Sequence, residues 1–240
     1  MLRLFAALIT LSASLFAADP APVFKPYTTT LSQVNGGTAL IADSDDIVIG
    51  SSGIVTHRFD EEKSTIIARA SVIKKENGQA TIRFEVFDLL AQSAFPLPGL
   101  VPEKGDTVTL NYLYNRALIV APNKTVYNEV TNHFSGITWV HPDLMGAYLA
   151  NAFKPNPERE EFQEMCRQNS TGIIFFALDK KGYFADCQSL KILKSVDSGS
   201  IASYQVPFFT RVRGIETAFW KFDGSQISNY NRHYRSLLVQ

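Results

Sequence analysis

The chain has 240 residues, 45% of them hydrophobic, and carries 23 basic and 23 acidic side chains. This length suits one large domain or two small ones, and the hydrophobic content is sufficient for a packed core, which excludes an intrinsically disordered protein. The formal net charge of zero argues against a nucleic-acid-binding protein, because such proteins usually carry a strong excess of basic residues.

Residues 1–17 have the order of a secretory signal peptide. Arg3 precedes an apolar run over residues 4–11, and small residues follow that run. The alternative is a transmembrane anchor, but the run is shorter than the ~20 apolar residues that cross a bilayer. We therefore expect export with cleavage after Ala17 or Ala18, a linker over residues 18–34, and no membrane span in the mature chain.

Residues 35–125 predict a small antiparallel β-barrel or sandwich. Short β-favouring runs alternate with turn signals, and residues 81–87 alternate apolar and polar side chains, as a half-buried strand does. The pair Asn77-Gly78 is the strongest hairpin signal, because a two-residue type I′ turn requires positive φ at both positions. Three prolines within residues 95–102 indicate an extended loop.

Residues 126–240 predict a mixed α/β part, so the whole chain is assigned to the α+β class. Pro142 and Pro157 suit the first turn of two helices, the second of which should end near Asn169. Residues 172–178 and 183–187 are typical of strands on either side of a tight turn. Residues 228–238 predict a final amphipathic helix.

The two cysteines, Cys166 and Cys187, predict a disulfide. They are an even pair in a chain that we expect to be exported to an oxidising compartment. Two unpaired structural thiols are the alternative, and a redox site is disfavoured because there is no Cys-x-x-Cys spacing. Cys166 lies near the end of a predicted helix and Cys187 at the end of a predicted strand, so a helix followed by a hairpin could bring them together.

The sequence offers few groups for catalysis or metal binding. None of the four histidines lies at a metal-ligand spacing from another histidine or a cysteine. The chain has no G-x-S-x-G element for a serine nucleophile, and the glycines at 50 and 53 lack the lysine of a phosphate-binding loop. The acidic turn at residues 43–46 lacks the spacing of an EF-hand. We therefore predict no catalytic residue, no cofactor and no metal, and a protein that is not an enzyme.

An aromatic group near the C-terminal end has two interpretations. Phe208, Phe209 and Trp220, together with their aromatic neighbours, could form the core of the second part. They could instead form an exposed patch for a partner protein, since aromatic residues and arginine are enriched in binding hot spots. Arg211 and Arg213 lie beside them, so these five residues are a candidate partner patch.

Several short segments occur in a distinctive order along most of the mature chain. They are Glu76-Asn77-Gly78, Lys104-Gly105-Asp106, Leu118-Ile119-Val120-Ala121-Pro122-Asn123, Cys187-Gln188-Ser189-Leu190, Pro207-Phe208-Phe209-Thr210-Arg211-Val212 and Gly224-Ser225-Gln226. In this order they resemble the N-terminal domain of the plasminogen-binding protein family found in the Helicobacter–Campylobacter group. The resemblance implies an exported, non-enzymatic protein of a Gram-negative envelope, in the periplasm or on the outer-membrane surface, and a family that can capture host plasminogen.

One difference from that family affects the expected partner. In the family, plasminogen capture is tied to a lysine-rich C-terminal extension, because kringle pockets pair a terminal lysine's ammonium with acidic groups and its carboxylate with basic groups. The present sequence ends at Gln240, and no lysine follows Lys221. We therefore expect weak plasminogen binding at most, with Lys180 and Lys181 in a predicted turn as candidate kringle contacts. The alternative is a periplasmic structural or assembly module that contacts other envelope proteins and does not bind plasminogen.

Overall fold

The computed structural model describes residues 22–87, 99–216 and 227–240. These residues form two β-sheets and four α-helices, with the strands of the first sheet preceding those of the second along the chain. The predicted α+β class, with an N-terminal β region, is confirmed. The predicted signal peptide at residues 1–17 lies outside the described residues, as do residues 95–98 of the predicted proline-rich loop at 95–102.

The first sheet has seven antiparallel strands in the order β1-β7-β4-β5-β6-β3-β2. The strands are β1 (Tyr27–Thr30), β2 (Gln33–Asn35), β3 (Thr38–Ala42), β4 (Ser52–Arg58), β5 (Ser64–Glu76), β6 (Gln79–Glu85) and β7 (Thr107–Leu110). The sheet curls into a half-barrel, and the hydroxyl of Tyr27 on one edge strand donates to the carbonyl of Ala42 near the other edge at 3.0 Å. The predicted barrel is thus a half-barrel: β1 and β2 stay at opposite edges of the sheet.

The β5–β6 hairpin confirms the strongest local signal in the sequence. Asn77 and Gly78 form its two-residue turn with φ values of 51° and 74°. Positive φ at both positions gives the turn a twist that matches the right-handed twist of the strands. The buried apolar side chains of this sheet form one core cluster, which includes Ile41, Val55 and Ile82.

The second sheet has five strands in the order β12-β11-β10-β8-β9. They are β8 (Arg116–Val120), β9 (Thr138–Trp139), β10 (Ile173–Leu178), β11 (Lys181–Asp186) and β12 (Ile192–Asp197). β8 runs parallel to both β9 and β10, whereas β10, β11 and β12 are antiparallel. All six side chains of β10 are buried, so this strand is covered on both faces, as its continuous apolar sequence predicted.

Helices cover both faces of the second sheet. They are α1 (Lys124–His133), α2 (Pro142–Ala152), α3 (Arg159–Asn169) and α4 (Tyr230–Leu237). Leu149, Phe162 and Tyr234 from the last three helices pack with Ile174 and Phe176 on one face. Side chains of α1 and Phe24 pack against the other face. Alternate residues of the strands therefore belong to two different cores.

Local capping explains where two of these helices begin. Pro142 occupies the first turn of α2, and the ring of His141 accepts a hydrogen bond from the amide of Asp143. α3 begins at Arg159, two residues after the predicted Pro157, because Glu158 forms a capping box with Glu161. α3 ends at Asn169 as predicted.

The sheets divide the chain at a different place from the sequence interpretation. β1 and most of β2 lie within residues 18–34, which we interpreted as a linker, because β1 pairs with β7 far along the chain. β8 belongs to the second sheet, although residues 35–125 were assigned to the first part. The division between sheets therefore falls between β7 and β8.

Candidate functional site

A buried carboxylate joins the two sheets. Asp186, at the end of β11, is 1% exposed and accepts hydrogen bonds from the hydroxyls of Ser52 and Tyr114 and, at 2.8 Å, from the guanidinium of Arg69. It also accepts hydrogen bonds from the main-chain amide of Gln188 and from the main-chain amide and hydroxyl of Ser189. Burial, followed by the nearby Asp186 carboxylate, raises the pKa of Tyr114 well above its usual value, so this hydroxyl stays protonated and donates.

The groups around Asp186 satisfy one another. Arg69 also pairs with Glu85, which accepts a hydrogen bond from Ser71 at 3.0 Å. The adjacent cavity has a volume of only about 30 Å³, which leaves room for a water molecule and not for a substrate. Ser52 and Arg69 belong to the half-barrel and Asp186 to the second sheet, so this cluster joins the two and is not a ligand site.

The predicted disulfide is present next to this junction. Cys166 and Cys187 are bonded, with their Cα atoms 6.0 Å apart, and both are buried. The bond fixes the last turns of α3 to the residue that follows β11, directly beside Asp186. The prediction from the cysteine pair is confirmed.

The two predicted kringle-contact lysines lie at the turn of the β10–β11 hairpin. Leu178 pairs with Lys181 across the hairpin, so Asp179 and Lys180 form the connecting turn. Both lysines are exposed, and Lys180 has a left-handed φ of 64°, an uncommon conformation for a residue with a side chain.

Hydrogen bonds from two other segments hold this turn in place. The amide of Lys180 donates to the carbonyl of Gly199 at 3.2 Å, and its carbonyl accepts from the amide of Ser198 at 3.0 Å. The amide of Asp179 donates to the side chain of Asn231 on α4 at 2.8 Å. The lysine side chains therefore extend from a backbone that is already fixed, which lowers the conformational entropy lost on binding.

An exposed carboxylate lies beside the lysines. Asp197, at the end of β12, is the cross-strand partner of Lys181, and both side chains are exposed. Residues directly opposite on antiparallel strands place their Cβ atoms about 4.5–5.5 Å apart on the same face. We define Lys180, Lys181 and Asp197 as the hairpin surface. This surface presents ammonium and carboxylate groups side by side. The sequence analysis did not identify Asp197 as a site residue.

The candidate partner patch does not lie together on the surface. Phe208 is 0% exposed and belongs to the core with α4, so it is not available to a partner. Phe209 is half-buried against Tyr127, and Arg213 is exposed. The guanidinium of Arg211 is held by the carboxylate of Asp143 at 2.6 Å. Trp220 lies outside the described residues.

A group of potential metal ligands that the spacing analysis did not identify lies at the end of β4. The ligand atoms of His57, Glu103 and Asp106 lie within 4.8 Å of one another. His57 Nδ1 is 2.8 Å from Asp106 Oδ1, and the other oxygen of Asp106 accepts from the amide of Glu103. These hydrogen bonds account for the buried Asp106 carboxylate without an ion. The prediction that the chain holds no metal is not tested by this geometry.

The helices that the structure describes include none with both the length and the apolar character of a membrane span.

Together, the described residues define an α+β domain in which an antiparallel half-barrel is joined to a helix-covered mixed sheet by a buried carboxylate. The family model described as "Plasminogen-binding protein pgbA N-terminal" matches residues 26–238. The chain therefore belongs to this family, as the order of short segments in its sequence indicated.

Two curated relatives, both named "Plasminogen-binding protein PgbA", come from Helicobacter pylori. The protein of strain J99 is 30% identical over 197 residues, which make up 80% of this chain and 43% of the relative. The protein of strain 26695 is 29% identical over 197 residues with the same coverage. The chain thus spans less than half the length of these relatives.

Proposed function

We propose that this chain is an exported, non-enzymatic binding protein of a Gram-negative envelope and that it binds plasminogen through lysine side chains. Membership of the family and the names of two relatives support the partner. The signal-like order of residues 1–17 and the Cys166–Cys187 disulfide support an exported location in the periplasm or on the outer-membrane surface.

The observation that carries the proposal is the hairpin surface. A kringle pocket pairs an ammonium with acidic groups and a carboxylate with basic groups, and an isolated internal lysine offers only the first. Lys181 and its cross-strand partner Asp197 offer both on a fixed backbone. Each charge-assisted hydrogen bond contributes about 1.5–3 kcal/mol.

The lysine pair beside the other hairpin is less available. The ammonium of Lys75 already contacts the Asp43 carboxylate at 3.0 Å and the carbonyls of Ser44 and Ile47 at 2.9 and 2.6 Å. Lys74 pairs with Glu76 at 2.6 Å. A kringle would have to displace these contacts. Lys74, the exposed member of this pair, therefore serves as the control.

The first prediction tests the hairpin surface by surface plasmon resonance on immobilised plasminogen. Replacing Lys180 and Lys181 by Ala should weaken binding about tenfold or more, and 6-aminohexanoate should compete with the wild-type protein. The Lys74→Ala variant should bind like wild type, because the Lys74 ammonium is paired with Glu76 and lies outside the hairpin surface. Equal binding by the double variant and wild type would contradict the assignment to the hairpin. Absence of wild-type binding would instead support a periplasmic structural or assembly module that contacts other envelope proteins.

The second prediction concerns export. Protein recovered from the envelope fraction of cells that express the whole chain should begin near Ala18, because the charged, apolar and small residues before it have the order that signal peptidases require. N-terminal sequencing measures this directly. An envelope-derived protein that still begins at Met1 would contradict it.

A further inference from the structure

A well-formed cavity lies under α1, and neither hairpin lysine lines it. It has a volume of about 340 Å³, within the roughly 300–1,000 Å³ typical of small-molecule pockets. One wall is the face of α1 that carries Val126, Glu129 and Val130, and the floor is the sheet surface of Phe175 and Ala177. The cavity thus lies between a helix and the sheet that the helix covers.

This helix is incompletely packed on the sheet. α1 has no buried residue. Its Val126 and Val130, and the following Phe134, pack only partly buried against the face of the second sheet that carries Phe175. α2, in contrast, buries Met145 and Leu149 against the opposite face of the same sheet. The apolar face of α1 therefore contacts the cavity where a fully packed helix would contact side chains.

Small residues on the sheet let the Phe175 ring lie flat along the cavity floor. A Cβ atom at Gly182 would lie 2.4 Å from the ring of Phe175, so the ring rests directly on the glycine backbone. Ala177 adds only a methyl group beside it on β10. The floor is therefore flat and partly aromatic, which favours a compact apolar or ring-shaped ligand.

The charges of the lining select the polar end of that ligand. Among the described residues, the lining contains two acidic residues, Glu129 on α1 and Asp197 on β12, and one histidine, His133. Glu129 is exposed, and the described lining contains no lysine or arginine. The side chain of Lys181 leaves the opposite face of the sheet from Gly182, because successive residues of a strand alternate. Two acidic residues in a lining that has no lysine or arginine favour an amine over an acid.

We propose that the cavity under α1 binds a small apolar molecule that carries one amine, with its apolar body on Phe175 and its ammonium near Glu129. This inference does not require plasminogen binding, although Asp197 of the hairpin surface also lines the cavity. Trp139 provides the measurement, because its indole N–H donates to the carbonyl of Phe134 at 3.2 Å at the cavity wall. The chain has two tryptophans, so Trp220→Phe leaves a single indole signal in a heteronuclear NMR spectrum.

The probes are 1-adamantylmethylamine and 1-adamantaneacetate, which share an apolar body and differ in charge. The amine should shift the Trp139 indole signal saturably, with a Kd on the order of 0.1 mM, and the acid should bind at least about fivefold more weakly. Glu129→Gln should reduce this preference about two- to fivefold. Glu160→Gln on the exposed face of α3 is the matched control and should leave the preference unchanged.

Val130→Phe should fill the cavity and weaken the amine about tenfold or more, while Asn132→Phe on the exposed side of the same helix should not. Thermal unfolding of each variant checks that it is folded. The proposal is overturned if the folded wild-type protein shows no saturable shift with the amine. It is equally overturned if the acid binds as tightly as the amine, or if Val130→Phe and Asn132→Phe bind alike.

Discussion

At the scale of single residues, Asp143 shows how one carboxylate can fix a distant segment. It lies in the first turn of α2, where the helix dipole favours a negative charge. It accepts hydrogen bonds from the hydroxyl of Thr210 and the amide of Arg211 at 2.9 and 2.8 Å. Partial burial acts to raise its pKa, but the hydrogen bonds from Arg211 and Thr210 outweigh burial and hold the pKa below its ordinary 3.8.

This gives a pH-dependent prediction for Asp143→Asn. Because the folded-state pKa is lowered, the carboxylate stabilises the native state above about pH 3.8 and loses this effect as the pH falls through the folded-state pKa. The variant should be less stable than wild type by about 1 kcal/mol at neutral pH. In urea unfolding at a series of pH values, the difference should shrink as the pH falls below about 3.8. Asp45→Asn at an exposed turn should show no such trend, and a constant difference for Asp143→Asn would contradict the explanation.

At the scale of elements, the disulfide links a helix to a hairpin that follows it. Cys166 and Cys187 are separated by 21 positions, so the bond closes a loop of moderate length. A loop of this size limits the unfolded chain and stabilises the native state by about 3 kcal/mol. The loop contains β10 and β11, and therefore also the turn that carries Lys180.

Replacing both cysteines by alanine should lower the free energy of unfolding by about 3 kcal/mol. Urea unfolding with and without a reductant measures this. Wild type should lose stability on reduction, whereas the double variant should be unaffected by the reductant. If wild type unfolds at the same urea concentration with and without reductant, the bond does not contribute in this way.

Sequence patterns located the elements whose signals are local. The type I′ turn at Asn77-Gly78 and the helix start at Pro142 depend on neighbouring residues, and both were predicted. α1 was missed, because none of its residues is buried and only three of its ten residues, Val126, Tyr127 and Val130, are apolar or aromatic. Its N-cap, Asn123, follows a proline in a stretch that was interpreted as the end of the β part.

The parts of the site that depend on distant contacts could not be predicted. Ser52 and Asp186 are 134 positions apart, so nothing in the sequence near either residue indicates their hydrogen bond. The same reason applies to Asp197, whose position beside Lys181 follows from strand register. The cysteine pair was predicted because only one intramolecular pairing is possible for two cysteines.

At the scale of the whole molecule, the cluster around Asp186 makes the two sheets one structure. Ser52 and Arg69 come from the half-barrel, Asp186 from the second sheet, and Tyr114 from the connection between them. Removing the Asp186 carboxylate would leave buried donors from both parts without their acceptor, which costs about 1–3 kcal/mol for a group left unsatisfied. The sheets should therefore unfold together.

Hydrogen exchange measured by mass spectrometry tests this cooperativity. Amides of β4, β5, β10 and β11 should open with the same free energy in wild type. Asp186→Asn should lower that value by about 1–3 kcal/mol in both sheets, because Ser52, Tyr114 and Arg69 lose a buried carboxylate acceptor, although Arg69 keeps its ion pair with Glu85. Asp60→Asn, at an exposed turn, is the control. Lower protection in one sheet alone would show that the sheets are separate folding units.

The pairing of β1 with β7 has a consequence for folding while the chain is being synthesised from its N-terminal end. Tyr27 pairs with Leu110, so β1 has no strand partner until the later residue has emerged. The hairpins β2–β3, β4–β5 and β5–β6 join strands adjacent in the chain and can form before then. During synthesis from the N-terminal end, β1 is therefore made first but cannot join the half-barrel until β7 has been made.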